Sequence, residues 1–231
     1  MTKLKDDVKA PPFETADLRR NLKRFLNLDY GGRPVGSWQW GVYAFYDYDR
    51  EPIYVGQTNE KLQNRIRRHL TNQRTDAVAM SVLDPYEVFE IEVYPLMDLE
   101  GIGQKHERFS EARRRLDAVE LTVFERAISE SQFRAVLNEK DPPKAGRVKL
   151  PKALRDRVVS DEVFQIRSHP DTRIARRASI LSELAHVISE RKVSKGLRRT
   201  LLTQAKRLEW LAERRFKAVS GEIEEEQGDN V

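Results

Sequence analysis

The chain has 231 residues, 34% of them charged and none of them cysteine, with a formal net charge of +5. The lack of cysteine excludes a disulfide framework, a thiolate nucleophile and a cysteine-ligated zinc site, and suits a reducing, cytoplasmic setting. No segment approaches the roughly 18 uninterrupted apolar residues of a membrane span, and Met1 to Lys9 is charged without an apolar stretch, so a soluble, uncleaved protein with no membrane association is expected.

In chain order, Glu14 to Leu28 places Leu18, Leu22, Phe25 and Leu26 at helical spacing, with Thr15 or Asp17 as the cap and Tyr30-Gly31-Gly32-Arg33-Pro34 as the stop. Trp38 to Tyr46 is aromatic and β-branched, Asp47 to Pro52 is a polar turn and Ile53 to Val55 resumes the apolar run, which predicts a β-hairpin with Pro52 at the second strand's first position. Glu60 to Asn72 predicts a helix with Leu62, Ile66 and Leu70 on one stripe and Arg65 and His69 on another. Tyr86 to Leu96 alternates well enough for a third strand with one wet face, pairing with the hairpin. Lys105 to Ser131 repeats Phe109, Leu116, Val119, Val123 and Ala127 at threes and fours, a long helix that carries Glu120 and Glu125.

Asp141-Pro142-Pro143 and Gly146 then break the chain. Beyond the break, Pro170-Asp171 opens one amphipathic helix and Ser194 caps a second, together a helical hairpin. Neither helix buries its stripe alone, so they are expected to pack on each other and on the preceding domain or on a second copy of the chain. The sequence thus predicts an α+β fold, a small antiparallel β-sheet flanked by helices, followed by a basic helical region. The expected units are an N-terminal helical arm (1–37), an α+β domain (38–142), a basic helical domain (143–220) and an acidic, disordered tail (221–231).

Charge follows the same division. Residues 143–220 hold 20 Lys or Arg against 8 Asp or Glu, a net +12, whereas residues 1–142 carry a net −2. A block of this kind attracts a polyanion such as DNA through its phosphates. The plainer alternative is a helical region that solvates itself with basic side chains.

Gly41-Val42-Tyr43, Tyr54-Val55-Gly56, Arg65 and His69 fall within thirty residues. Tyrosine hydroxyls and a guanidinium gathered on a hairpin and the next helix each need partners or solvent, and chemistry on a phosphate explains the set better than folding does. There is no Gly-x-x-x-x-Gly-Lys-Ser/Thr loop, no His-Glu-x-x-His pair and no Gly-x-Ser-x-Gly elbow, which removes the corresponding NTPase, zinc protease and serine hydrolase readings.

With Val42 and Val55 in the two isoleucine places, and with Gly56-Gln57-Thr58 following, this stretch resembles the GIY-YIG nuclease family. The resemblance runs from about Trp38 to Asn138 and implies metal-dependent hydrolysis of DNA phosphodiesters with Mg2+ or Mn2+. It implies that Tyr43 takes a proton from the attacking water, that Tyr54 orients water or phosphate, that Arg65 clamps the scissile phosphate and that His69 shuttles a proton. It also implies a metal-holding carboxylate on a later helix, with an asparagine after it. Glu125 lies thirteen residues before Asn138 and fits the family spacing, so Glu125 is the expected ligand and Asn138 the expected asparagine. Glu120 fits the local apolar pattern instead, and the two point about 140° apart on a helix, so only one faces the hairpin. The proline usual before that asparagine is missing.

Arg68, Arg176, Arg177, Arg198 and Arg199 are the expected DNA-backbone contacts. Restriction or defence against foreign DNA, with a homodimer cutting both strands, is the expected role. A structure-specific repair or recombination nuclease and an inactive DNA-binding protein are the rivals, and a third reading makes the C-terminal hairpin a protein-binding surface.

Overall fold

The computed structural model describes residues 11–71 and 82–221. Except for Gly221, the expected acidic tail lies outside them. Four antiparallel strands, β1 (Gly41–Tyr46), β2 (Pro52–Thr58), β3 (Glu90–Pro95) and β4 (Leu154–Arg157), form one sheet in the order β2-β1-β3-β4. The six residues of β1 carry no charge and all are buried, because both faces of this inner strand are covered.

On one face Val42, Ala44 and Val55 meet Leu116, Val119, Val123 and Ala127 of the long helix, Phe109–Glu130. On the other, Tyr43, Phe45, Ile91 and Val93 meet Leu22 and Phe25 of α1 (Phe13–Leu26) and Leu62 and Ile66 of α2 (Leu62–Leu70). The long helix, α3, therefore backs the hairpin from one side while α2 covers it from the other, leaving the outer edge of β2 between them, bonded by Leu137 and Asn138 at Ile53 and Val55. The chain continues through β4 to α4 (Asp161–Arg167), α5 (Pro170–Glu190) and α6 (Lys195–Val219), and Ser160 and Ser194 cap α4 and α6 by accepting from the amides of Val163 and Leu197.

Several expectations change. Asp17 does not cap α1; it is buried inside the helix, where its carboxylate accepts from Arg20, Asn21 and the Ser160 amide and so ties the first helix to the chain before α4. The second face of β3 is dry, since Glu92 is buried with its carboxylate bound by the Tyr46 hydroxyl at 2.8 Å and by Arg126. β4 and α4 were not anticipated, because Leu154-Arg155-Asp156-Arg157 is an edge strand with alternate residues exposed and offers little apolar signal.

The break at Pro142–Pro143 does not divide the core in two. β4 completes the sheet from beyond it, and Leu184 and Leu197 lie in the same apolar cluster as Phe25 and Tyr43. Nor is α1 an arm, since Leu22 and Phe25 are in that cluster as well.

The α5–α6 hairpin meets the sheet partly through buried charge. Asp47, in the β1–β2 turn, is 1% exposed and accepts from Arg173, Arg177 and Arg207 at 3.2, 2.9 and 2.5 Å. Its other oxygen accepts the amides of Asp49 and Glu51 and shapes the turn. Asp49 and Glu87 complete the balance, Asp49 bonding Arg173 at 2.7 Å and Glu87 bonding Arg177 at 3.0 Å. Buried ions cost several kcal/mol each unless matched, and here three guanidiniums face three carboxylates.

Candidate active site

Register across the hairpin places Tyr43 opposite Gly56 and Phe45 opposite Tyr54, so the two tyrosines share a face. Their ring centroids are 6.3 Å apart. Ile66 turns into the core and fixes the roll of α2, which brings His69 to 5.8 Å from the Tyr43 ring and 5.1 Å from the Tyr54 ring. The Tyr43 hydroxyl lies over Gly56, where a Cβ would stand 2.5 Å from the phenol oxygen. Glycine at this position lets the phenol reach the outer edge of β2.

Burial pushes the Tyr43 phenol well above its ordinary range, Tyr54 acts in the same direction, and Arg65 works against both. Burial works to lower the Arg65 pKa, but Tyr43, Tyr54 and Glu60 outweigh it and the guanidinium stays charged. Neither the Tyr43 hydroxyl nor Arg65 Nε makes a hydrogen bond of ordinary geometry among the described residues. Both atoms are buried, and the two side chains act on each other, Arg65 opposing the rise of the Tyr43 phenol by charge and by hydrogen bonding.

The carboxylate beside them is Glu120. Burial raises its pKa to about 7, Asp117 adds to the rise, and Arg113 and Arg65 oppose it. Its charge reaches Tyr43 as well. Asp117, one turn earlier on α3, accepts from the Gln57 amide at 2.9 Å and anchors this part of the helix to β2.

Glu125 is not part of the group. It is on the outer face of α3, paired with Arg147 at 2.5 Å, away from Tyr43 and Arg65, whereas Glu120 lies within charge reach of both. Asn138 is also placed otherwise: its carbonyl accepts from the Val55 amide at 3.0 Å and its NH2 donates to the Val55 carbonyl at 2.6 Å. These bonds continue the strand edge of β2. The signal for Glu120 was present in the sequence, as a lone carboxylate inside the apolar stripe of Leu116, Val119 and Val123.

The expected DNA contacts divide. Arg68 pairs with Glu60 at 2.6 Å, Arg176 with Asp84 at 2.8 Å, Arg177 with Asp47 and Glu87, and Arg199 with Asp141 at 2.7 Å. Arg198 is exposed with no ion pair among the described residues. Much of the basic excess of residues 143–220 thus neutralises acids of the first half.

Among the described residues no three His, Asp or Glu side chains converge as a metal cage. Glu120 is a single buried carboxylate that loses its proton near neutrality, and a Mg2+-type ion, which keeps several waters, needs few protein ligands.

The fold and the site define an α+β catalytic domain built on a tyrosine-bearing hairpin and an arginine-bearing helix. Residues 39–108 match the family model of the GIY-YIG catalytic domain, a nuclease domain. The match ends before α3, so Glu120 is placed by geometry alone. Neither the curated proteins nor the solved structures contain a match to the chain. No helix among the described residues is long and apolar enough to cross a membrane.

Proposed function

We propose that the chain is a divalent-metal-dependent DNA endonuclease that hydrolyses phosphodiester bonds at the outer edge of β2 beside Gly56. The observation that carries this reading is the convergence of Tyr43, Arg65 and Glu120, from three separate elements, within mutual charge reach. Arg65 offers a planar fork to two phosphate oxygens, a geometry that lysine lacks. Tyr43, neutral at rest because it is buried, orients the attacking water and passes on its proton, with Arg65 stabilising negative charge as it develops on the phenol. Tyr54 and His69 hold the Tyr43 ring in place, and His69 is the candidate proton shuttle. A Mg2+ or Mn2+ ion held by Glu120, phosphate oxygens and water would neutralise phosphate charge and assist the leaving oxygen.

The duplex is held by the α5–α6 turn. Arg191, Lys192, Lys195 and Arg198 are exposed there and make no ion pair among the described residues. The turn sits beside the β2 edge, because the Ser194 hydroxyl donates to Glu139 at 3.1 Å and the preceding Asn138 is bound to Val55. Restriction or defence against foreign DNA is the role we favour, since an open polar cleft beside α2 offers a means of choosing sequence.

Supercoiled plasmid with Mg2+ tests the activity. Nicking is expected from the wild type and its loss from Tyr43→Phe and Glu120→Ala; binding without nicking would mark an inactive DNA-binding protein. Preference for flaps or junctions over linear duplex would favour a structure-specific repair nuclease.

A further inference from the structure

Between the β2–α2 loop and the loop entering α3 lies an open cleft of about 540 Å3, lined by Gln39, Asn59, Lys61, Gln104 and Phe109 together with two glutamates. Its size falls within the roughly 300–1,000 Å3 of small-ligand sites. The glutamates are neutralised from outside, Glu60 by Arg68 at 2.6 Å and Glu100 by Arg33 at 2.7 Å. What the cleft offers is therefore a set of neutral amides, one ammonium and an aromatic ring.

The amides have capacity to spare. The side chains of Asn59 and Gln104 make no hydrogen bond among the described residues. Gln39 donates through its NH2 to the Asn59 and Ile102 carbonyls, which holds it in place and leaves its own carbonyl to accept. Phe109 is half-buried, with its ring 5.7 Å from Trp40 in an edge-on arrangement. Neutral amides by themselves bring no charge with which to hold a metal or concentrate an anion. They match the donor and acceptor edges of a base, Asn and Gln pairing best with adenine, and an aromatic ring supplies a stacking surface.

The cleft opens next to the reacting centre. Lys61 caps α2 and its carbonyl accepts from the Arg65 amide at 3.4 Å, so the cleft wall adjoins the first turn of the helix that carries Arg65. Glu60 in the cleft wall, paired with Arg68, lies near enough to Arg65 to interact with it as well.

From this we infer that the cleft takes a nucleobase of the cut strand, next to the scissile phosphate, and reads its edge with a preference for adenine. The inference rests on the nuclease reading above. It makes Asn59 and Gln104 specificity-determining residues, with Lys61 on the adjoining phosphate.

Sequencing the ends cut from a random duplex library with Mg2+ is the first measurement. Wild type is expected to enrich adenine at one fixed offset from the cut. In Asn59→Ala/Gln104→Ala that enrichment falls about tenfold while other offsets keep theirs. An even base composition at every wild-type offset, or a double variant with the wild-type pattern, overturns the inference. The second measurement needs no cleavage: metal-free binding of short single strands carrying adenine or an abasic residue at one position. Tighter binding of adenine, lost in the double variant, sustains the cleft even if no DNA is cut, in which case only the nuclease reading fails. Equal binding of the two strands overturns it.

Discussion

The Tyr43 hydroxyl occupies the space where Gly56 has no side chain: a Cβ there would stand 2.5 Å from the phenol oxygen and 2.6 Å from the ring carbon that bears it. The ring cannot retreat, because Phe45, Tyr54 and His69 surround it at 5.2, 6.3 and 5.8 Å between centroids. Gly56→Ala is therefore expected to displace the phenol rather than be absorbed. Overpacking of this kind costs about 1–3 kcal/mol, and misplacing a reacting group by an ångström costs on the order of 100-fold in rate. Denaturant unfolding and plasmid nicking read the two effects separately, and a Gly56→Ala protein that nicks like wild type would detach the position of Tyr43 from the activity.

Glu120 gives the protein a pH signature. Its carboxyl is raised from 4.5 to about 7, chiefly by burial, so between these values the folded state binds more protons than the unfolded state. Stability contributed by Glu120 is present below about pH 4.5 and lost as pH rises through 7. At pH 8.5 without metal, Glu120→Gln is expected to be more stable than wild type by about 1–3 kcal/mol, since a tenfold change in proton affinity is worth about 1.4 kcal/mol. At pH 5 the two should nearly coincide. Added Mg2+ should stabilise the wild type at pH 8.5 and leave the glutamine variant unmoved. Thermal melts across pH decide it, and a wild-type advantage at pH 8.5 without metal would remove Glu120 from the buried, raised state described here.

Asp47 joins the hairpin that carries both tyrosines to the α5–α6 hairpin. Asp47→Ala leaves Arg173, Arg177 and Arg207 sharing Asp49 and Glu87, an excess of positive charge at residues that are at most 3% exposed. Breaking a buried ion set by removing one partner costs about 3–5 kcal/mol. The expected result is one cooperative unfolding transition at lower denaturant, with the sheet and the helical hairpin lost together. Separate transitions for the two would show that the helices do not depend on this contact.

How far the sequence could be read follows from the range of the signals. The hairpin, α2 and α3 are legible because their apolar residues repeat over a single element, and α2's spacing puts Arg65 and His69 on one face. Pairings across long separations are not. Arg173, Arg177 and Arg207 look like a solvated basic face until Asp47 arrives from more than 120 residues away. β4 offers four residues with alternate positions exposed, and only its partner β3 makes it a strand. Glu120 and Glu125 divide on the same ground: family spacing points to the second, whereas burial in the apolar stripe of α3 is what makes the first the proposed ligand.

That division extends to the basic residues and gives the last test. Arg177 donates to Asp47, to Glu87 and to the Arg207 carbonyl, so its guanidinium is committed inside the fold. Arg191, Lys192, Lys195 and Arg198 are exposed on the α5–α6 turn and committed to no ion pair among the described residues. Arg177→Ala should unfold the protein at lower denaturant. Changing the four turn residues to alanine should leave unfolding within about 0.5 kcal/mol of wild type, as surface substitutions generally do. Their effect belongs instead in the salt dependence of duplex binding, where every phosphate no longer neutralised makes the log–log slope shallower by about 0.9. Fluorescence anisotropy with a labelled duplex, without divalent metal and across a salt series, measures that slope. A slope unchanged in the four-residue variant would place the duplex on another surface, because counterion release follows the number of neutralised phosphates wherever on the protein they are held.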